Sequence, residues 1–322
     1  MSAEQTAREW GVEAAEEGQR LDRFLAARLP DRSRSRLQAL VREGRVSVDG
    51  EVRKKPGAPL AAGSRVRAEL PELDPRPDAE RARRELPVLH EDEHLLVVDK
   101  PAGLLTHRTE GGGEITLAEL AEARCGPLPS SQGEGRPGIV HRLDRETSGV
   151  IALARTPAAM EELLRQFRER EVEKTYETLV AGEPRFHSDW IEEPLGRHPR
   201  QPDRMSVLLE EDGGRPAATY YEVLERLPGG AHLLCRPRTG RTHQIRVHLV
   251  AAGLEVVGDR VYRVQGRRPT LPEAAPRARR QLLHARRLEL THPDSGERMV
   301  FEAPLPADLT SMLDWLRAHE PA

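Results

Sequence analysis

The sequence predicts an α+β fold in two parts, a small compact module followed by one long domain. Three observations carry this. Short apolar or alternating segments recur between stretches of helical spacing. The stretch from Pro71, PELDPRPDAERARRE, has three prolines and no core-forming periodicity, so it reads as a linker. The length of 322 residues suits two domains at roughly 100–200 residues each. The expected boundaries are a flexible lead-in over 1–19, the module over 20–71, the linker over 72–86, the long domain over 87–317 and a tail over 318–322.

The lead-in, MSAEQTAREWGVEAAEEG, is acidic and lacks the apolar core of a signal peptide. In the module, Leu21, Phe24, Leu25 and Leu29 recur at helical spacing. Leu37, Leu40 and Val41 predict a second helix, with Ser33 or Ser35 as N-cap and Gly44 as stop. Arg45 to Val48 reads as a strand entering an Asp49-Gly50 turn. Val66, Ala68 and Leu70 alternate with Arg65, Arg67 and Glu69 as another strand. In the long domain, Leu95 to Val98 is a strand running into a turn, 126–138 a loop, and Val150 to Ala154 a buried strand. Met160, Leu163, Leu164 and Phe167 share one face of a helix over 157–170. Strands are expected at 174–182, 218–226, 231–236 and 286–292, and a polar, Pro/Arg-rich surface excursion at 264–279.

Composition narrows the function. Hydrophobic residues make up 37% and charged residues 32%, as in a soluble folded protein. The aliphatic runs fall far short of the ~20 residues a membrane helix needs. Two cysteines, Cys125 and Cys235, cannot build a disulfide framework or a metal site by themselves. A cytoplasmic protein is expected. The net charge of −3 hides local excesses: eleven Lys/Arg against five Asp/Glu over 20–55, nine Arg against Glu273 over 260–287, and Arg236, Arg238, Arg241 and Arg246 with no acid among 236–246. A polyanion responds to such patches, because salt screens charges beyond about 8–10 Å. A nucleic-acid partner is therefore expected.

Three segments carry the chemistry. In GIVHRLDRETSGVIA, Asp144 sits between an apolar approach and a Thr147-Ser148-Gly149 turn. A carboxylate there can be held rigid and partly dry; it can equally be a turn-capping Asp. In RTGRTHQIRVHL, Thr242 as N-cap and Gly253 as stop predict a helix over 243–252. His243 and His248, five apart, do not share a helix face, so hydrogen bonding suits them better than zinc. In KTYETLVAG, Tyr176 beside Lys174 suits either base stacking or a core position.

Together HRLDRETSG, VVDKPAG, KTYETLVAG and TGRTHQIRVHL resemble, in order, the motifs of the RluA-type pseudouridine synthases. LHARRLELTHPDSGE and FEAPLP resemble that family's C-terminal pattern, and SRSRLQALVREGRVSVDG resembles its S-four RNA-binding module. The resemblance covers about residues 20–317 and implies an α+β catalytic domain on a mixed, largely antiparallel sheet behind a small α/β RNA-binding module. It implies isomerisation of uridine to pseudouridine in RNA, without metal or other cofactor. Asp144 would act at the ribose, Arg246 would pair with it, and Tyr176 would stack on the everted uracil. Arg142 would fill the vacated space; Lys174, Arg241, His243 and Gln244 would support the pocket or the phosphates. Arg34, Arg36, Arg42 and Arg45 would hold RNA phosphates. The expected substrate is large-subunit ribosomal RNA, with transfer RNA second, acted on by a monomer away from membranes. Two other readings remain at this point: an RNA-binding or ribosome assembly factor of the same fold without catalysis, and a hydrolase using Glu146 as a second carboxylate. Thr178, Arg263 and the long 264–279 segment depart from the family pattern.

Overall fold

The computed structural model describes residues 6–29, 34–70, 86–108, 115–130, 136–201, 204–266 and 270–319. The expected linker, apart from Leu86, lies outside them, as do the centre of the 126–138 loop, 267–269 of the excursion and 320–322 of the tail. The chain divides into two compact units, the first covering 1–82 and 107–116, the second 83–106 and 117–322.

The first unit contains β1 (Thr6–Gly11), α1 (Leu21–Arg28), α2 (Arg34–Arg42), β2 (Val46–Val48), β3 (Glu51–Val52) and β4 (Arg65–Leu70). Its sheet runs β1-β4-β2-β3, antiparallel throughout. Phe24, Leu25, Leu37, Leu40 and Val66 are among the side chains that fill the core between the helices and this sheet. The hairpin turn takes the residues it requires: Asp49 and Gly50 have φ of 52° and 85°. One expectation is corrected here. The lead-in is not loose from Thr6 onward, because β1 pairs with β4 along its whole length, Thr6 opposite Leu70 to Gly11 opposite Arg65. Ser33 lies outside the described residues, and Ser35 is inside α2 rather than capping it.

The second unit contains β5 (Val88–Glu91), β6 (Leu95–Lys100), α3 (Leu117–Cys125), β7 (Ser148–Ala154), α4 (Pro157–Glu169), β8 (Glu173–Ala181), β9 (Ser188–Ile191), β10 (Leu195–Arg197), β11 (Met205–Val207), β12 (Thr219–Leu227), β13 (Gly230–Pro237), α5 (Gln244–Ala251), β14 (Glu255–Val256), β15 (Leu283–Thr291), β16 (Arg298–Glu302) and α6 (Ala307–Ala318). The main sheet runs β5-β6-β7-β15-β8-β13-β12-β9, with β14 on β8 and β16 on β15. Every pair is antiparallel except β7–β15, so the sheet is mixed, as expected.

α4 forms where its spacing predicts. Thr156 accepts the Ala159 N–H, Pro157 starts the first turn, and Met160 and Leu163 pack on β7 and β15. It stops at Arg170, whose φ of 65° is left-handed. On β8, Val180 packs with α5 while its neighbour Leu179 packs with α6, so the two helices cover opposite faces. The described part of the 264–279 excursion has no helix or strand, and Thr270 Oγ1 donates to Gly229 O at 2.5 Å.

Candidate active site

Asp144 lies on the loop that leads into β7, and that loop is gripped on both sides. Thr106 Oγ1 donates to Leu143 O at 2.9 Å and accepts from Leu143 N at 3.3 Å. Arg145 O accepts from Gly103 N at 2.9 Å and from Lys100 Nζ at 3.0 Å. Lys100 is fully buried, and its ammonium spends its other two protons on Pro101 O and Leu104 O, each at 2.9 Å. Burial pushes the Lys100 pKa down to about 7, against the pull of Asp144 and Glu146. Arg280 Nη1 donates to Glu146 O at 2.9 Å, and Ser148 Oγ bonds His284 Nδ1 at 2.9 Å. Gly149 ends the turn at φ 114°; a Cβ there would stand 2.2 Å from Ala285 O, so the close parallel approach of β7 to β15 requires glycine. His141 Nε2 accepts from Ala152 N at 2.9 Å, and its ring stacks on Phe167 with centroids 4.5 Å apart. Burial and then Lys174 push the His141 pKa down to about 3, so the ring stays neutral.

With its backbone so held, Asp144 points into a cleft of about 500 Å³ and is the one carboxylate among the described residues that line it. Arg246 Nη1 donates to Asp144 Oδ2 at 3.0 Å. Arg246 is itself buried and held on its other side by Asp259, Nε to Oδ2 at 2.6 Å and Nη2 to Oδ1 at 3.0 Å. Asp259 Oδ1 also accepts the Val261 and Tyr262 N–H groups at 2.8 and 3.1 Å. The Tyr262 ring lies under the guanidinium, 4.8 Å from centroid to Cζ. Its hydroxyl accepts from Met205 N at 2.9 Å and meets His243 Nδ1 at 2.6 Å. The other ring nitrogen of His243, Nε2, lies 3.8 Å from Asp144 Oδ1. Burial holds the His243 pKa below the usual value, against Asp144. Asp144, Arg246 and Asp259 thus form a chain of charges in which each carboxylate faces the one guanidinium.

Tyr176 on β8 lines the same cleft. Burial first, and then the Asp144 charge, push its phenol up, so it stays protonated. Lys174 lies two residues away in the cleft wall, and burial brings its pKa down to about 8. Arg142 is exposed at the cleft, without an ion-pair partner among the described residues. Arg168, Arg170, Arg238 and Arg241 complete a cationic rim. Burial lowers the Arg241 pKa, and Arg215 and Arg170 add to the shift.

Several expectations change. The cap of α5 is His243, in left-handed conformation at φ 56°, not Thr242. Gln244 supports the pocket from within: Oε1 accepts from Thr239 Oγ1 at 2.7 Å and Arg241 N at 3.0 Å, and Nε2 donates to Ala218 O and Thr219 Oγ1 at 3.0 Å each. It pins the 239–241 loop. His248 hydrogen-bonds Thr219 Oγ1 and Glu193 O at 2.9 and 3.0 Å, as expected of a structural histidine. Glu146 faces Arg145 at 3.6 Å and lies off the cleft, which removes the second carboxylate a hydrolase would need. Thr178 is absorbed by an Oγ1 bond to Leu282 O at 2.8 Å, and exposed Arg263 pairs with Glu255 at 3.7 Å. In the first unit Arg42 is exposed, Arg45 pairs with Glu43 at 3.4 Å, and the Arg34 and Arg36 side chains lie outside the described residues. The sequence does not single out Asp259 or Tyr262; it is the folded site that shows the buried arginine taking a second acid.

A rigid carboxylate in a cationic cleft of about 500 Å³ suits an enzyme that acts on a polyanion. The chain belongs to the RNA pseudouridylate synthase family, in its RluA-type branch with an N-terminal S4 domain: the family model matches residues 94–251 and the S4 domain model residues 19–66. It is 41% identical over 302 residues to ribosomal large subunit pseudouridine synthase D of Nitrosomonas europaea, covering 93% of this chain and 85% of that one. To the protein of the same name from Pseudomonas aeruginosa it is 40% identical over 310 residues, covering 95% and 94%. Among solved structures it resembles human RNA pseudouridylate synthase domain containing 4, with a TM-score of 0.57 at 27% identity, covering 74% of this chain and 95% of that one.

Proposed function

We propose that this synthase isomerises uridines of large-subunit ribosomal RNA, with Asp144 acting at the ribose of an everted nucleotide. The observation that carries the reading is the placement of Asp144 as the one carboxylate among the described residues lining the cleft, 3.0 Å from Arg246 and in the same cleft as Tyr176. The N1–C1′ bond breaks, the uracil turns, and C5 bonds to C1′; C5 gives up its proton and N1 gains one, so the atoms balance. Asp144 serves in its ionised form whether it attacks C1′ or takes the C2′ proton, and Arg246 keeps that charge compensated in a partly dry site. Tyr176, held protonated, stacks on the flipped base. Arg142 fills the gap left in the RNA, while Lys174, Arg241 and the arginines of α2 meet phosphates. The S4 match at 19–66 supports docking of RNA by the first unit, and the names of the relatives support ribosomal RNA over transfer RNA. The reading places the enzyme in the cytoplasm as a monomer; no helix among the described residues is long and apolar enough to cross a membrane.

The test uses large-subunit ribosomal RNA tritiated at uracil C5. Release of tritium without free uracil is the expected result. Binding without release would favour the assembly factor, free uracil a hydrolase, and release from transfer RNA alone a different substrate.

Lys174 gives the reaction a pH dependence. Its cationic form meets phosphate, and its pKa has come down from 10.5 to about 8. RNA affinity is therefore full below that value and falls as pH rises through it, by about three- to tenfold for one lost phosphate contact. In Lys174→Arg the inflection disappears, because guanidinium does not titrate there. Binding isotherms from pH 6.5 to 9.5 read the difference, working within about two units of the shifted value.

A further inference from the structure

The chain has few aromatic residues, three Trp, four Tyr and four Phe, yet it exposes two of them near one sheet edge. Trp190 on the edge strand β9 is 41% exposed, and Phe186, just before that strand, is 48% exposed. Trp190 is the Cα partner of Tyr220 on β12, and Tyr220 is the partner of Arg236 on β13, so the three side chains form one row on the same face. The Trp190 and Tyr220 rings lie 5.4 Å apart. Arg236 Cζ sits 5.8 Å from the Tyr220 centroid, and Arg238 Cζ 4.4 Å from that of Trp190. Arg185 lies 5.0 Å over Phe186 in the same way. Arg185, Arg236 and Arg238 are all exposed, and none has an ion-pair partner among the described residues. Arg238 also lines the cleft that holds Asp144, and a second hollow of about 230 Å³ shares Arg170, Arg238 and Thr239 with it.

We infer that Trp190, Tyr220, Arg236 and Arg238 form a stacking platform for an unpaired nucleotide flanking the target uridine. The platform rests on the ribosomal RNA reading above and extends its site. Bases of any sequence stack on aromatic faces and guanidinium planes, and the uncompensated arginines take the intervening phosphates. Everting one nucleotide loosens its neighbours, and Arg238, which lies over Trp190 and lines the cleft, links the platform to the site. An exposed side chain on an edge strand is also free to change without disturbing the core, so Trp190 can be replaced cleanly.

The test compares the wild type with Trp190→Ala and Trp190→Phe on tritiated large-subunit RNA. In Trp190→Ala the KM rises about tenfold while the single-turnover rate at saturating RNA stays within about twofold; Trp190→Phe restores most of the affinity, since stacking survives. Titration with a short oligoadenylate, which contains no uridine to react, quenches tryptophan emission in the wild type, and most of that quench is absent from Trp190→Phe. An unchanged KM together with an unchanged quench overturns the platform. So does a Trp190→Ala protein whose sedimentation shifts while its KM does not, which would mark the patch as a contact between two copies of the chain. If the wild type fails on large-subunit RNA, the substrate reading falls, and the oligoadenylate titration still decides the platform by itself.

Discussion

Asp144→Asn stops pseudouridine formation, with a loss of at least about 10⁴-fold in single-turnover rate, while RNA affinity and folding stay near wild type. The reasons lie in the site's wiring. The asparagine oxygen can still accept from Arg246 Nη1, so the 3.0 Å contact has a replacement. Arg246 keeps its two bonds to Asp259, so losing the Asp144 charge does not strand a buried guanidinium. The loop is held by its backbone and not by the Asp144 side chain. What disappears is the negative charge that the proposed chemistry at the ribose uses. Stability changes by about 1 kcal/mol or less on thermal denaturation, as for one hydrogen bond weakened but kept. Turnover within tenfold of wild type would remove Asp144 from the mechanism, about 1.4 kcal/mol of barrier being far too little for a lost nucleophile or base.

Asp259→Ala gives the opposite pattern, damaging both stability and rate. Asp259 is almost fully buried, and it carries two bonds to Arg246 and two from the Val261 and Tyr262 backbone. Removing one partner of such a buried pair costs about 3–5 kcal/mol, because two guanidinium and two backbone N–H groups are left without acceptors. Arg246 then follows Asp144 alone, and the carboxylate loses its fixed direction, for a fall of about 10²–10³-fold in rate. Asp259→Asn separates the two effects. It keeps the volume and an acceptor oxygen, so its melting point recovers part of the loss while its rate stays low. A single-turnover rate within about threefold of wild type in that variant would show that Asp259 serves the fold and does not position the site.

How much of this was legible depends on what each feature writes into the chain. Buried elements write plainly: β7 is buried at all seven positions, and its apolar run was readable. α4 announced itself by its apolar face of Met160, Leu163, Leu164 and Phe167. β1 did not, because Ala7, Arg8 and Glu9 are exposed and no alternation survives. Charged residues on an edge strand discourage pairing with other chains, and they also hide the strand from a search for periodicity. The pairing of Asp144 with Arg246, 102 positions apart, came from the resemblance and not from any local pattern. Asp259 escaped because only the folded arrangement shows that Arg246 has donors left over once Asp144 is satisfied. His243 was misplaced by one position as to the cap, since a left-handed histidine has no signature at the level of spacing.

The parallel junction between β7 and β15 is brief, His284 opposite Ser148 and Ala285 opposite Gly149, whereas β8 and β15 are matched at six positions. That junction is a suture between two banks of one sheet. Asp144 is delivered from the near bank, ahead of β7; Arg246 comes from a helix packed on the far bank. A side chain at position 149, whose Cβ would meet Ala285 O at 2.2 Å, would therefore push the loop that carries Asp144 away from the bank on which Arg246 is packed.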